Sequence, residues 1–416
     1  MNDIEKTTEK LNCRCCIVGG GPAGMMLGFL LARAGVEVAV LEKHADFLRD
    51  FRGDTIHPST LEIMHELGLI DAFLKLPHQE VNQLTGQFGD NEVTIADFTH
   101  LSTYCKFVVL MPQWDFLNFL AEQAQHYPNF HLCLQAEVTD IIQQQGRVLG
   151  VSAKTPRGAL EVRAELTIAA DGRGSILRER AGLEILDLGA PMDVLWMRMT
   201  KQAGDPQQTM GRVDTGKILA MLDRGDYWQC AYVIRKGRID EIRAAGLSAL
   251  REDIAGLAPF LHDRVAELKQ WDDIKLLTVR VDRLRHWHSP GLLCIGDTAH
   301  AMSPIGGVGI NLAIQDAVAT GNILVEPLLT HGDISEATLH AVQRRRELPT
   351  RLIQGIQLFI QNRGISNVLA ANSNKRMSLP LPFRLIRRFK WLRRIPARLV
   401  GVGFRPEHVK SIFRAA

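Results

Sequence analysis

The sequence has no low-complexity tract, no internal repeat and neither the spacing of a metal-ligand set nor that of a nucleophile elbow. The demanding chemistry is therefore not expected to belong to a metal or to an activated serine or cysteine. Cysteine is sparse and odd in number, seven in 416 residues, so the thiols cannot all pair. Cys15, Cys16 and Cys294 sit in apolar runs as small hydrophobes, which fits reduced thiols and a cytoplasmic setting. Cys13 and Cys16 form a nominal C-x-x-C, but they fall on the opening strand, where side chains diverge, and no second pair follows downstream. No secretory leader is evident, because Asn2 to Lys10 is polar and mixed in charge. One apolar stretch, residues 15 to 32, approaches membrane length, yet Gly19, Gly20, Gly21 and Pro22 interrupt it. A soluble protein, or one held at a membrane surface from outside, is expected. A hydrophobic share of 46% and a charged share of 23% are those of a globular chain long enough for two domains or one composite domain.

What is present begins at Cys15-Cys16-Ile17-Val18, an apolar strand that runs into Gly19-Gly20-Gly21-Pro22-Ala23-Gly24. A helical run, Met25 to Leu31, and a second strand, Val36 to Leu41, follow and end on Glu42. In such a βαβ unit Gly19 permits the tight turn, Gly21 lets the backbone approach a pyrophosphate, and Gly24 lets helix and strand pack closely. The helix N-terminus offers free N–H groups and positive dipole to phosphate. Glu42, 18 residues after Gly24, is placed to accept from ribose hydroxyls, with Lys43 beside it in the same site. An acid there favours FAD or NAD over NADP as the tightly held dinucleotide.

Two further segments of the same kind follow. Thr167 to Ala170 is an apolar strand entering Asp171-Gly172-Arg173-Gly174-Ser175, with Arg178 beyond. Leu292 to Ile295 is another, delivering Gly296-Asp297-Thr298-Ala299-His300 and then Pro304-Ile305-Gly306-Gly307-Val308-Gly309-Ile310-Asn311. A nicotinamide dehydrogenase has no need of a second phosphate-friendly loop so far downstream, so the ligand is expected to be FAD. Asp297 would hold the ribityl chain, and backbone amides from Gly306 to Gly309 would face the next part of the cofactor.

The three motifs together resemble the single-component FAD-dependent aromatic hydroxylases, the group A flavoprotein monooxygenases of the para-hydroxybenzoate hydroxylase type, over roughly residues 13 to 330. The resemblance carries Gly19, Gly21 and Gly24; Asp171, Gly172, Ser175 and Arg178; and Gly296, Asp297, His300, Pro304, Gly309, Asn311 and Asp316. It also places Arg52 on the FAD and Gln113 at the ribityl chain. It implies FAD-binding residues Gly19, Gly21, Gly24, Glu42, Lys43, Arg52, Gln113, Asp171, Gly172, Gly296, Asp297, Pro304, Gly307, Gly309, Ile310 and Asn311. Pro304, Gly306 and Gly307 would face the flavin ring, and His57, Trp228 and Tyr232 are candidates for handling substrate. Arg235 could meet a substrate carboxylate, while His300 reads as structural. The chain departs from the family at Val308, where many members have Gln, and in the stretch from Arg52 to Pro58.

By the same resemblance, NAD(P)H reduces the FAD, O₂ adds at C4a, and the hydroperoxide passes an oxygen to an aromatic or enol-like carbon. The implied fold is α/β: a doubly wound Rossmann-like FAD-binding domain from residues 1–75, 101–182 and 281–330, an inserted antiparallel β-sheet substrate domain from 76–100 and 183–280, and a C-terminal helical segment, 331–416. Val93 to Phe98, Val194 to Met199 and Trp228 to Ile234 alternate as half-buried strands. An epoxidase, a hydroxylase of quinone precursors or polyketides, and a non-catalytic FAD-binding protein at a membrane surface stay open as alternatives. A halogenase would want Trp-x-Trp-x-Ile-Pro, and a disulfide reductase a redox cysteine pair with a second nucleotide fingerprint; the sequence has neither.

From Lys375 to Ala416 stand twelve Lys and Arg against the single acid Glu407, a local +11 that leaves −8 elsewhere in a chain of net +3. Phe383, Leu385, Ile386, Phe389, Trp391, Leu392 and Ile395 are interleaved with the bases. The expected reading is a helix packed on the acidic FAD domain, with its charges solvated, or paired within the chain or across a homodimer. The other is an amphipathic surface for anionic lipid. Nucleic acid is not expected, since no recognition fold accompanies the charge.

Overall fold

The opening strand, Glu9–Val18, is exposed at its start and wholly buried from Cys15 onward, the pattern of a strand entering a sheet covered on both faces. The computed structural model describes residues 8–48, 55–206, 210–330, 334–371 and 377–413. In it this strand is central to an eight-stranded sheet. Leu292–Cys294, Gly158–Ala169, Glu9–Val18, Val38–Glu42 and Phe130–Leu134 run parallel in that order. Glu137–Gln144 and Arg147–Thr155 add antiparallel strands beside Gly158–Ala169. Register aligns Val18 with both Leu41 and Ala169, and Ala169 with Cys294. The three motif turns therefore leave the sheet side by side at its carboxyl edge, where open α/β sheets bind ligands.

Helix Pro22–Arg33 buries every residue from Ala23 to Ala32, as expected of a helix apolar all round. Helix Gly309–Leu329 packs against it. The segment Ile305–Leu329 is long and apolar enough to cross a membrane, but 83% of its apolar window is buried inside the protein, so it is a core helix here.

The second large sheet has seven strands, in the order Lys275–Leu277, Met192–Thr200, Tyr227–Arg235, Lys217–Asp223, Met210–Asp214, Gln83–Phe88 and Asn91–Asp97. All pairs are antiparallel except Met210–Asp214 with Gln83–Phe88. The strand expected to be half-buried between Trp228 and Ile234 is buried on both sides. Helix Leu247–Leu257 covers the face carrying Leu195, Met197, Leu219, Trp228, Cys230 and Tyr232. The opposite face carries Met192, Val194, Ile218, Ala231 and Val233, packed against Ile305, Leu358 and Leu369. Pro380 and Pro382 open the helix Leu381–Arg388, because proline fits a helix's first turn.

A buried polar hub joins these layers. Asp316, fully buried on helix Gly309–Leu329, accepts from the Gly296 amide (3.1 Å), His300 Nε2 (2.5 Å) and Arg346 Nε (3.0 Å). Burial alone would raise its carboxyl, but His300 and Arg346 outweigh that and hold it below the ordinary carboxylate value. Arg346, on helix Glu336–Phe359, also lies 3.3 Å from Glu407, which pairs with Arg345 at 2.6 Å. Breaking a buried pair from one side costs about 3–5 kcal/mol. Arg346→Met should lower the unfolding free energy by that order in urea titration; a loss under about 1 kcal/mol would mean the site relaxes without Arg346.

Candidate active site at the carboxyl edge of the parallel sheet

Gly19 turns the chain out of the first strand at φ +108°, and a Cβ there would lie 2.3 Å from Ala170 O. A Cβ on Gly24 would lie 2.0 Å from Gly19 O, so helix and strand touch through backbone. Gly21 differs: a Cβ on it would meet no atom within 4 Å. It caps helix Pro22–Arg33 without a side-chain hydrogen bond. The open space thus stands directly before first-turn N–H groups, a cradle suited to a pyrophosphate.

Glu42 ends the next strand, its Oε2 accepting from the Gly20 amide (2.9 Å) and Oε1 from the His44 amide (3.1 Å). Each carboxylate oxygen has a second lone pair, so the group fixes the glycine turn and can still accept from a ribose hydroxyl. Lys43 is exposed beside it.

The Asp-Gly and Gly-Asp turns are stitched together by Thr298. Its hydroxyl donates to Asp171 Oδ1 (3.1 Å) and accepts from the Gly172 amide (2.8 Å). Asp171 Oδ2 accepts from the Ile176 amide (3.1 Å), and burial raises its carboxyl above the usual value. The Asp171 side chain thus ties the two turns together, and like Glu42 it keeps a second lone pair on each oxygen. Ser175 caps helix Ile176–Arg180. Buried Arg178 bonds Thr298 O (3.2 Å) and Arg173 O. Arg173, which the motif reading passed over, extends from the same turn to Asp297, Nε to Oδ2 at 2.9 Å. Both partners are about one-third exposed, so a carboxylate and a guanidinium are presented together at the crevice.

Next comes the loop Pro304–Gly307, with Gly306 at φ +77° and Gly307 at φ +61°. Gly307 has no room for a side chain, since a Cβ would lie 2.3 Å from Thr55 Oγ1. Its amide, expected to face a ligand, instead donates to Pro304 O (3.1 Å), closing the turn. The first intrahelical bond of the following helix is Leu312 N to Val308 O (3.0 Å), which leaves the amides of Gly309, Ile310 and Asn311 as its open first-turn donors. The Asn311 side chain is committed inward: Oδ1 accepts from His57 N and Thr60 Oγ1 (both 2.8 Å), and Nδ2 donates to Thr55 O (3.1 Å). Any contact of Asn311 with a ligand would thus be made by its backbone.

His57 is buried, and its Nδ1 donates to Val400 O at 2.7 Å. Burial pushes its pKa down to about 4 against that hydrogen bond. It is a neutral strut between strand Thr55–Ile56 and the C-terminal segment, not a group poised on substrate. Gln113 is half-buried in the first turn of helix Gln113–Gln125, after strand Val108–Leu110, which pairs with Thr55–Ile56. Arg52 lies outside the described residues.

Trp228 and Tyr232 fall on the wrong side of their strand for substrate. Trp228 Nε1 donates to Asp205 (2.8 Å) and the Tyr232 hydroxyl to Asp253 (3.0 Å), both under helix Leu247–Leu257. Burial, with Asp253 nearby, pushes the Tyr232 phenol up. Arg235 bonds Leu369 O through Nε (3.0 Å) and Nη2 (2.5 Å). What the sheet turns toward the loop is apolar: Ile305 packs with Met192, Ile218 and Val233. Among the described residues no group of three His, Cys, Asp or Glu is arranged to hold a metal.

A glycine turn open to phosphate, an acid at the second strand end and an Asp–Arg pair beside a helix N-terminus define a dinucleotide-binding flavoprotein fold. The chain belongs to the FAD binding domain family, whose model matches residues 12–355, and within it to the FAD-dependent aromatic hydroxylases of the para-hydroxybenzoate hydroxylase type. It is similar to 6-methylpretetramide 4-monooxygenase of Streptomyces rimosus, 31% identical over 349 residues that cover 82% of each chain. Among solved structures it is similar in fold to p-nitrophenol 4-monooxygenase PnpA from Pseudomonas putida DLL-E4, with a TM-score of 0.74, 19% identity and coverage of 94% and 97% of the two chains. The OxyS anhydrotetracycline hydroxylase from Streptomyces rimosus gives a TM-score of 0.71 at 22% identity, with coverage of 94% and 76%.

Gly21→Val should fold with the thermal stability of the cofactor-free protein yet fail to retain FAD, whereas Gly24→Val should fail to fold; a yellow Gly21→Val protein would remove the phosphate role. For His57, whose folded pKa lies below the ordinary 6.5, the unfolded chain binds the extra proton. Its contribution to stability is present above pH 6.5 and is lost as pH falls toward about 4. Wild type should therefore lose more Tm than His57→Asn over that window, and parallel curves would contradict the strut.

Proposed function

We propose that the protein is an FAD-dependent monooxygenase that uses NAD(P)H and O₂ to hydroxylate an aromatic substrate, with fused-ring phenols of the polyketide kind the leading class. The observation that carries this reading is the placement of Pro304–Gly307 against the apolar face of the antiparallel sheet through Ile305, Met192, Ile218 and Val233. A planar ligand held at the crevice would lie between backbone donors on one side and an apolar wall on the other. The 31% identity to an enzyme named for 6-methylpretetramide supports a substrate of that class. Bound FAD, once reduced by NAD(P)H, would supply the activation of O₂ and the transfer of one oxygen atom to carbon.

The chain's own residues bind, orient and exclude water. Gly21 and the first-turn amides of helix Pro22–Arg33 would receive the pyrophosphate, and Glu42, with Lys43 beside it, the adenosine ribose. Asp297, turned by its pairing with Arg173, would accept from ribityl hydroxyls, with Gln113 on the same stretch. The amides of Gly309, Ile310 and Asn311, at the positive end of a 21-residue helix, would stabilise negative charge on a reduced ring. The apolar sheet face would keep water from the reacting carbon. None of these groups is required to act as an acid or base on substrate.

Asp297→Ala should weaken FAD binding by about 1.5–3 kcal/mol, the range for a hydrogen bond to a charged group, or roughly ten- to a hundredfold in Kd measured by flavin fluorescence. Unchanged affinity would contradict the assignment. Purified holoprotein given polycyclic phenols should consume NADH or NADPH faster than without them and return hydroxylated product. FAD retained without any substrate-stimulated oxidation would instead identify a non-catalytic flavin-binding protein.

A further inference from the structure

The C-terminal segment carries a surface that the flavin site does not use. Helix Leu381–Arg388 turns Phe383 and Ile386 inward, where they pack with Phe88, Val93 and Leu379 beside the edge strand Asn91–Asp97. This helix thus docks on the antiparallel sheet, while Val409 and Phe413 further along the tail pack into the core around the parallel sheet. Its other side carries Leu381, Leu385 and Phe389 at intervals of four residues, which places them on one face, exposed by 66%, 44% and 44%. Trp391 and Ile395, 61% and 56% exposed, follow immediately in the chain. Five large apolar side chains in fifteen residues are thereby open to water.

Seven Lys and Arg lie from Arg384 to Arg398, with no Asp or Glu among them. Among the described residues none of the seven pairs with a carboxylate. Arg387 bonds the amide oxygen of Asn91, Arg384 bonds Leu379 O, and Arg388 lies over the Phe389 ring. Of the arrangements expected for these charges, solvated or paired within the chain or across a homodimer, pairing with a carboxylate of the described residues is the one not found.

We propose that this surface docks the protein on an anionic phospholipid bilayer. Leucine, phenylalanine and tryptophan would enter the headgroup boundary while the flanking bases meet lipid phosphates, the arrangement of an interfacial helix. A symmetric contact with a second copy would bring the two sets of seven bases together without a carboxylate in the patch to offset them. A nucleic-acid backbone would call on the bases but leave the Leu381–Leu385–Phe389 ridge in water.

The experiment is sedimentation of the full-length holoprotein with phosphatidylcholine vesicles and with phosphatidylcholine–phosphatidylglycerol vesicles, at low and high salt. Binding is expected to the anionic vesicles only and to weaken with salt. Two variants test the two halves of the surface: Leu385→Ser/Phe389→Ser/Trp391→Ser and Lys390→Glu/Arg394→Glu/Arg398→Glu. Each should reduce the bound fraction at least about tenfold, with FAD content unchanged as the measure of folding. The proposal is overturned if the wild type ignores anionic vesicles, binds neutral ones equally, or is matched in binding by the charge-reversed chain. It is overturned too if light scattering shows a wild-type dimer that the ridge variant converts to monomer, since the surface would then belong to a second copy.

Discussion

A carboxylate removed from water must be met by donors, and Asp316 is met by three from three places in the chain: the Gly296 amide, His300 and Arg346. That constraint sets the rest of the site. Gly296 begins the turn that presents Asp297, so the turn's position is fixed from below by a group on the helix that its own loop leads into. Arg346 carries the constraint into the next helix and, through Glu407, into the C-terminal segment. With desolvation this large, no partner can be lost cheaply. The loop between Gly296 and Gly309 is consequently held at both ends, which gives it a defined shape with only two short 3-10 turns of its own.

The motif residues divide into those that face the crevice and those that make it. Thr298, Arg178 and the Asn311 side chain are satisfied by the protein itself. Gly21, Asp297, Arg173 and the first-turn amides of two helices remain for a ligand. Close approach explains the split. Parallel strands ending in register crowd three turns together, and buried polar groups at such a junction must pair with one another before anything else.

The C-terminal segment works on two sides. Inward, Val400 receives His57 and Glu407 receives two arginines; outward, the preceding stretch from Leu381 to Ile395 is apolar and basic. The segment is thus tied by buried hydrogen bonds to the strand that touches Gly307, so its inner contacts support the loop beside the crevice.

The three motifs, their order and the glycine at each turn were legible in the sequence, because they rest on local backbone geometry and short-range periodicity. So was the α/β class. The strands near Val93, Val194 and Trp228 were legible as strands, but which face of each looks toward the flavin loop was not. Side chains alternate with period two, so a sequence equally apolar on both faces, as at Tyr227–Arg235, gives no parity. Trp228 and Tyr232 went to the helix-covered side for that reason, while Met192, Ile218 and Val233 went to the other. His57 looked chemically poised and proved a strut, because its partner Val400 is 343 residues away. Arg173 was in view but unassigned, since only the folded chain brings it to Asp297. Local turns, caps and amphipathic patterns were determined by the sequence alone. Tertiary structure alone decided which polar groups are consumed by one another and which are left for a ligand, because desolvation depends on neighbours supplied from distant parts of the chain.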